Sequence, residues 1–371
     1  MLYYTVFCIL ILFALLEMVT VPEQTKKAMY IFLTLSFIVM GGLRWNTGND
    51  WRPYHSFFTK FTTDDPFFLI AMEPGYVKFV QFLRIFSSSF TFYLIVLSTI
   101  AIGIKTTFFY KYAGAIFLAV ILYWGTALAD ITAVRQTLAV SLCVLSSHFI
   151  IERKPWLFVF FVILAAQIHV TSYIFLVSYF IFNAEWSVRS KSIILIVAVA
   201  IGASGISESL LELIANITPA GIGLDRISQK ALNYLEIGNE VDPQYELSKT
   251  QRLTAAIAKR AILLPVFFYF QERVTIRKDL YKGFLNLYTF GNILFFIVVD
   301  FITLQRAATY FYFYEILLLC IIYVNVKSKS IWLILIIAYS LFKMLSILVN
   351  AMDLLVPYIW IFSEDTYRFV Y

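Results

Sequence analysis

An all-α, polytopic membrane fold of about 11–12 transmembrane helices is predicted, and three observations predict it. The 371-residue chain is 61% apolar and only 14% charged, which no soluble domain of this size matches. Its apolar runs are rich in Leu, Ile and Phe and are separated by short basic loops. The runs do not alternate with period two, so an outer-membrane barrel is not indicated. Candidate spans are about 2–21, 28–43, 89–110, 112–127, 131–151, 155–182, 192–206, 254–271, 281–299, 306–326 and 330–349. They read as one integral membrane domain over 1–371, with two long polar stretches, 44–88 and 207–253.

The first run, Leu2 to Val21, has no basic residue before it and is longer than a signal-peptide core, so a retained helix is expected. Lys26 and Lys27 set the first short loop in the cytoplasm and the N-terminus outside. Stretch 44–88 and Asp130 then fall outside, while Lys105 to Lys111 and Glu152-Arg153-Lys154 fall inside. If 155–182 were one helix, Arg189, Lys191, Arg273, Arg277, Lys278 and Lys282 would all lie outside, against the positive-inside rule. A helix pair turning near Gln167-Ile168-His169 restores every cluster to the cytoplasm. Each half is then only about 20 Å long at 1.5 Å per residue, a length tolerated where broken helices line a cavity.

With this topology the outside face collects Arg44, Asp50, Arg52, Glu73, Asp130, Arg135, His169, Arg226, Arg252, Arg260 and Arg306. Arginine outnumbers lysine there, and its planar fork suits bidentate phosphate contacts. Nucleotides are absent from that compartment, so a nucleotide-sugar donor is not expected. The pI follows from topology-setting lysines and arginines and is no sign of nucleic acid. Cys8, Cys143 and Cys320 are scattered through apolar runs and outline neither a disulfide framework nor a zinc site. Asp64-Asp65 lacks a third ligand nearby and reads as a solvated turn; no metal or cofactor is expected.

The chain is organised around Asp130, Arg135 and Gln136, set between two apolar runs. An arginine in the bilayer costs roughly 2.5–3.5 kcal/mol unless paired, and no carboxylate follows in its own helix. Its partner is therefore a carboxylate of another segment or a ligand, and a lipid-linked phosphate at the helix start is the favoured reading. Upstream, Gly41 to Tyr54 interleaves Trp45, Trp51 and Tyr54 with Arg44 and Asp50. The rings suit sugar stacking and Asp50 suits a base, or the whole is an interfacial aromatic belt. Glu73, before Pro74-Gly75-Tyr76, is a candidate carboxylate or a helix-start charge. His169, at the proposed break, is a candidate base or phosphate donor, or a satisfied core residue. Stretch 207–253, with Asp225, Arg226, Lys230 and Arg252, reads as segments lying over the cavity, gripping polymer or simply capping. Arg306 heads a tyrosine-rich helix as a second phosphate ligand or a snorkelling residue.

Arg44, Gly48, Asp50 and Tyr54 in this spacing, then Glu73-Pro-Gly-Tyr76, resemble the EpsG family of polysaccharide-assembly membrane proteins. So do Arg135-Gln136 with Ala139, Ala166 with His169, Arg306 before its tyrosines, and Pro357-Tyr358. The resemblance implies a Wzy-type polymerase of O-antigen or capsular repeats, with a fold resembling C-type membrane glycosyltransferases and needing neither metal nor nucleotide sugar. It implies transfer of a growing undecaprenyl-diphosphate-linked glycan onto a new lipid-linked repeat at the periplasmic face of the bacterial inner membrane, and a chain-length regulator as partner. Arg135 and Arg306 would hold the leaving diphosphate, and Asp50, Glu73 or His169 would take the proton. An O-antigen ligase would look almost identical in sequence. A flippase is disfavoured, because the polar residues lie on one face and no inverted halves are visible.

Overall fold

The structure, a computed structural model, describes residues 1–48, 50–60, 72–132, 134–206 and 249–363, without the side chains of Lys249, Ile302 and Thr303. It is helical throughout, as predicted, with no strand among the described residues. Asp64-Asp65 and most of stretch 207–253, with Asp225, Arg226 and Lys230, lie outside the described residues. The described residues fall into two compact units, Met1–Tyr179 with Ile316–Tyr371, and Phe180–Glu315.

In the first unit the N-terminal helices are α1 (Leu2–Leu15), α2 (Glu23–Gly42), α3 (Trp51–Thr59) and α4 (Pro74–Phe86). They are followed by α5 (Phe90–Tyr112), α6 (Ile116–Ala127), α7 (Arg135–Ile151) and α8 (Pro155–Ile168), and α9 (Lys329–Asn350) belongs to the same unit. Helix α6 is the centre. Every residue from Ile116 to Gly125 is buried, so it is apolar on all sides because every side meets protein. Helices α1 and α9 pack on it, and Ser340 of α9 donates to the Ile121 carbonyl at 2.6 Å. On α1 the buried residues Tyr3, Phe7, Leu10 and Ala14 form one stripe at helical spacing. On α2 the stripe Tyr30, Leu33, Phe37 and Gly41 is buried against α5 and α6: the Tyr30 hydroxyl donates to the Thr106 carbonyl at 2.6 Å, and Phe37 stacks on Trp124.

Among the described residues four helices are long and apolar enough to cross a membrane: Phe90–Tyr112, Thr250–Phe270, Arg306–Asn325 and Lys329–Asn350. Several other predicted spans form shorter helices. With 12 residues α6 is about 18 Å long, and with 14 residues α8 is about 21 Å, against a hydrocarbon core of roughly 30 Å. Both end at polar breaks. After α6, Leu128, Ala129 and Asp130 all take left-handed backbone angles, with φ of 45°, 49° and 55°. This is a reversal that ordinary side chains resist. After α8, His169 is extended and a 3-10 turn runs from Val170 to Val177. Phe158, near the start of α8, lies 6.3 Å from Phe175 and 5.7 Å from Tyr179, ring to ring. In one continuous helix residues 158 and 175 would stand about 25 Å apart. The segment therefore doubles back at His169, as the charge distribution predicts.

The residues that follow α2 are fastened to those that follow α9. Arg44 bridges Trp360, Trp45 N–H donates to the Ile359 carbonyl at 2.8 Å, and Ile361 N–H donates to the Leu43 carbonyl at 2.9 Å. The Tyr358 hydroxyl donates to the Met40 carbonyl. Two motifs some 300 residues apart in sequence thus form one structural element.

The second unit is built on Val188–Ser204, Thr250–Phe270 and Lys278–Ile297, with the turns from Ile302 to Tyr312 packed on the last.

Candidate functional site

The candidate site of the first unit is built around Arg135, the first residue of α7. Its Nη1 lies 2.6 Å from Glu73 Oε2 and 3.0 Å from Met72 Sδ. The other Glu73 oxygen accepts the Val170 N–H at 3.1 Å. One carboxylate therefore ties the start of α7 to the break after α8. Gly75 makes this possible, because the first turn of α4 lies directly against Gln167, where any Cβ would meet side chain and backbone.

Tyrosines support the pair. The Tyr76 ring lies 5.9 Å from the Arg135 guanidinium, and its hydroxyl is 2.7 Å from that of Tyr93. Tyr54 stands edge-on to Tyr76 at 6.0 Å, and Arg135 is close enough to act on its phenol. Burial pushes the Tyr54 phenol above its ordinary range, with Asp50 and Glu73 adding to the rise. It is accordingly a neutral group among charges, within electrostatic reach of both carboxylates. Arg135 and Glu73 are both about 18% exposed at the side chain, so the pair is sheltered but reachable. The buried Nε of Arg135 has no hydrogen-bond partner among the described residues.

The sequence left a carboxylate of another helix and a ligand open as partners of Arg135; in this structure the carboxylate is Glu73. Asp130 does not join it. Asp130 pairs with Lys105 at 2.5 Å and accepts from the Tyr123 hydroxyl, holding the left-handed turn at 128–130. Lys105, which the charge pattern set with Lys111 on the inside and away from Asp130, is instead a buried residue of α5 paired with Asp130. Sequence reasoning missed it because a lysine near a helix end resembles a topology signal. Gln136 follows Arg135 on α7, half-buried.

Arg44 is 2% exposed, and the attraction of Tyr93, Tyr358, Asp50 and Tyr3 acts on it. Burial lowers its guanidinium to about 10, which leaves it charged at neutral pH. Asp50 is exposed at the start of α3. Trp51 is not a free stacking face: it is 5% exposed, stacked on His55 at 4.6 Å and edge-on to Phe90. Tyr54 is likewise turned to Arg135 rather than open. His169 is buried, with Nδ1 2.6 Å from the Thr171 hydroxyl.

Arg252 and Arg306 belong to the second unit. Arg252 pairs with Asp300 at 3.3 Å, and Arg306 is exposed at a 3-10 turn. The arginine engaged by the tyrosine-rich turns is Arg260. It donates to Asn292 Oδ1 at 2.6 Å and to the Tyr312 hydroxyl at 2.9 Å, and lies 3.8 Å from the Phe295 ring centre.

A search of characterised proteins and of solved structures returns no match. The family comparison does match: the EpsG family model covers residues 27–360, nearly the whole chain, including Arg44, Glu73, Arg135, His169 and Arg306. The chain is a multi-pass membrane protein of the EpsG family, a family of Wzy-like polysaccharide polymerases.

Proposed function

We propose that this protein is a glycosyltransferase that lengthens an undecaprenyl-diphosphate-linked glycan, for O-antigen or capsule, at the periplasmic face of the bacterial inner membrane. The observation that carries this reading is the half-sheltered Arg135–Glu73 pair at a helix start. An anion arriving there meets a guanidinium, the N-terminal dipole of α7 and the buried Arg135 Nε donor. A diphosphate competes with Glu73 for Arg135, and its binding frees the carboxylate beside it.

The reaction follows from that exchange. A sugar hydroxyl of the incoming lipid-linked repeat attacks the anomeric carbon of the growing chain. The bond from that carbon to the diphosphate oxygen breaks, and the bonding pair leaves with the diphosphate. Arg135 stabilises the charge that develops there. The hydroxyl proton passes to Glu73. Asp50, exposed nearby, is suited to hold sugar hydroxyls, and His169 is the alternative base. Arg44, Tyr54 and Gln136 belong to the same unit as the pair, Asp130 holds the turn before α7, and Arg252 and Arg306 are candidate anion-binding residues of the second unit. A chain-length regulator is the expected partner.

The test separates a working pair from a structural one. Arg135→Lys keeps the charge and loses the fork. At normal membrane abundance it is expected to shorten the polymer ladder strongly, in line with the roughly 100- to 1,000-fold cost of losing one transition-state donor. The exchange Glu73→Arg with Arg135→Glu restores an ion pair and abundance, and is expected to make no polymer. Full-length polymer from the exchanged protein would mean that the pair only holds the fold. A deletion strain that retains a single repeat on its acceptor supports a polymerase, whereas a bare acceptor points to a ligase.

A further inference from the structure

A second feature of the first unit lies at the other end of α7. A groove of about 480 Å³ runs between α5 and α7, lined by Ile100, Gly103, Ile104, Phe108 and Leu145, with Thr99 and Thr107 along its edge. Its volume is within the roughly 300–1,000 Å³ usual for small-ligand sites. Thr99, Gly103, Thr107 and Lys111 recur every four residues, so one stripe of α5 is small at the top and cationic at the bottom. At Gly103 the groove is open, since an added Cβ would meet nothing within 4 Å.

The lower rim is polar and ordered. Tyr112 hydroxyl and His148 Nδ1 are 2.6 Å apart, and Lys111 Nζ lies 3.3 Å from the same nitrogen. Glu152 is 2.9 Å from His148, 2.7 Å from Lys154 and 3.6 Å from Lys111. Lys111, Arg153 and Lys154 thus outnumber one carboxylate, an excess that also exceeds the partial negative charge where α5 and α7 end. All of these rim side chains except Tyr112 and His148 are exposed.

We propose that this groove is a binding site for an anionic membrane phospholipid, with one acyl chain against Gly103 and Ile104 and the headgroup phosphate at Lys111, Tyr112 and Lys154. An apolar groove between two apolar helices, closed at one end by basic residues, matches a lipid of that charge on both counts. Carrier-lipid diphosphate bound at Arg135 is a different ligand, because Arg135 and His148 lie about 20 Å apart along α7, at opposite ends of the helix. The proposal does not depend on the chemistry assigned to Arg135 and Glu73.

The experiment is a thermal unfolding series on full-length protein in detergent, titrated with phosphatidylglycerol, phosphatidylcholine or a polyprenyl phosphate. Phosphatidylglycerol is expected to raise the melting temperature at lower concentration than the other two. Gly103→Phe starts in open space at its Cβ and fills the groove, and it is expected to abolish the phosphatidylglycerol shift while melting like wild type without lipid. Lys111→Gln keeps the groove and is expected to weaken the response about fivefold, the worth of one lysine beside an anionic surface. Should Gly103→Phe fail to fold, Lys111→Gln and Thr107→Phe carry the test. Equal responses to phosphatidylglycerol and phosphatidylcholine, or an undiminished response in the variants, would overturn the proposal. So would a groove-dependent response to polyprenyl phosphate alone, which would assign the groove to the carrier lipid.

Discussion

Arg135 and Asp130 stand five residues apart and have separate partners. Glu73 neutralises Arg135 and Lys105 neutralises Asp130, so two ion pairs flank the reversal before α7. Their surroundings differ. Arg135 and Glu73 are each 18% exposed at the side chain, whereas Lys105 and Asp130 are 5% and 12% exposed. A pair that a ligand can reach is open to exchange, and one closed off by helices is structural. Lys105→Met is expected to leave the Asp130 charge unpaired in the interior and to destabilise the protein by about 3–5 kcal/mol. Adding Asp130→Asn removes that charge and is expected to recover much of the loss. Membrane abundance and thermal melting of the single and double variants check this; equal loss in both would show that the pair is not what holds the turn.

At the scale of elements, breaks in short helices bring the site together. Helix α6 stops at three left-handed residues, α8 stops at extended His169, and the first turn of α4 is wedged against the second break. Non-glycine residues in the left-handed region cost about 1–3 kcal/mol each and persist only where the surroundings over-determine them. Here Lys105 and Tyr123 grip Asp130 from two helices. The wedge rests on Gly75. Gly75→Ala is expected to push α4 off Gln167, at an overpacking cost of about 1–3 kcal/mol, and to break the Glu73 contact with the Val170 N–H. The outcome expected is a short polymer ladder at near-normal abundance. A full-length ladder would show that Glu73 need not bridge the two breaks.

For the whole molecule, the doubling back at His169 puts the start of α8 and the residues around Tyr179 at the same level. With basic Lys111, Arg153 and Lys154 at one end of α5 and α7, and Asp50 and Arg135 at the other, the first unit has two chemically different ends. By the positive-inside rule the basic end is expected to face the cytoplasm. Single cysteines at Arg153 and at Asp50, in a background lacking Cys8, Cys143 and Cys320, are expected to react with a membrane-impermeant maleimide from opposite sides. Labelling of Asp50→Cys in intact spheroplasts and of Arg153→Cys only after lysis is the expected pattern. The reverse pattern would place the Arg135 site in the cytoplasm and remove the lipid-linked donor from the mechanism.

Several features were legible from composition and spacing alone. Apolar run length dictates helices in a bilayer, because no other local structure satisfies the backbone there. Lysine and arginine counts located the turn at Gln167–His169, and the motif residues Arg44, Glu73, Arg135 and His169 stood out because charge inside apolar sequence is costly. Their pairings were not legible. Glu73 and Arg135 are 62 residues apart and Lys105 and Asp130 are 25 apart, so each pairing depends on which helices become neighbours. The same holds for Trp51 and Tyr54, which look like stacking rings in a list of residues and prove to be packed on His55 and turned to Arg135. Helix formation is a local response to the bilayer and can be read from the chain. Which charges meet is set by the contacts between helices, and only the tertiary structure decides it.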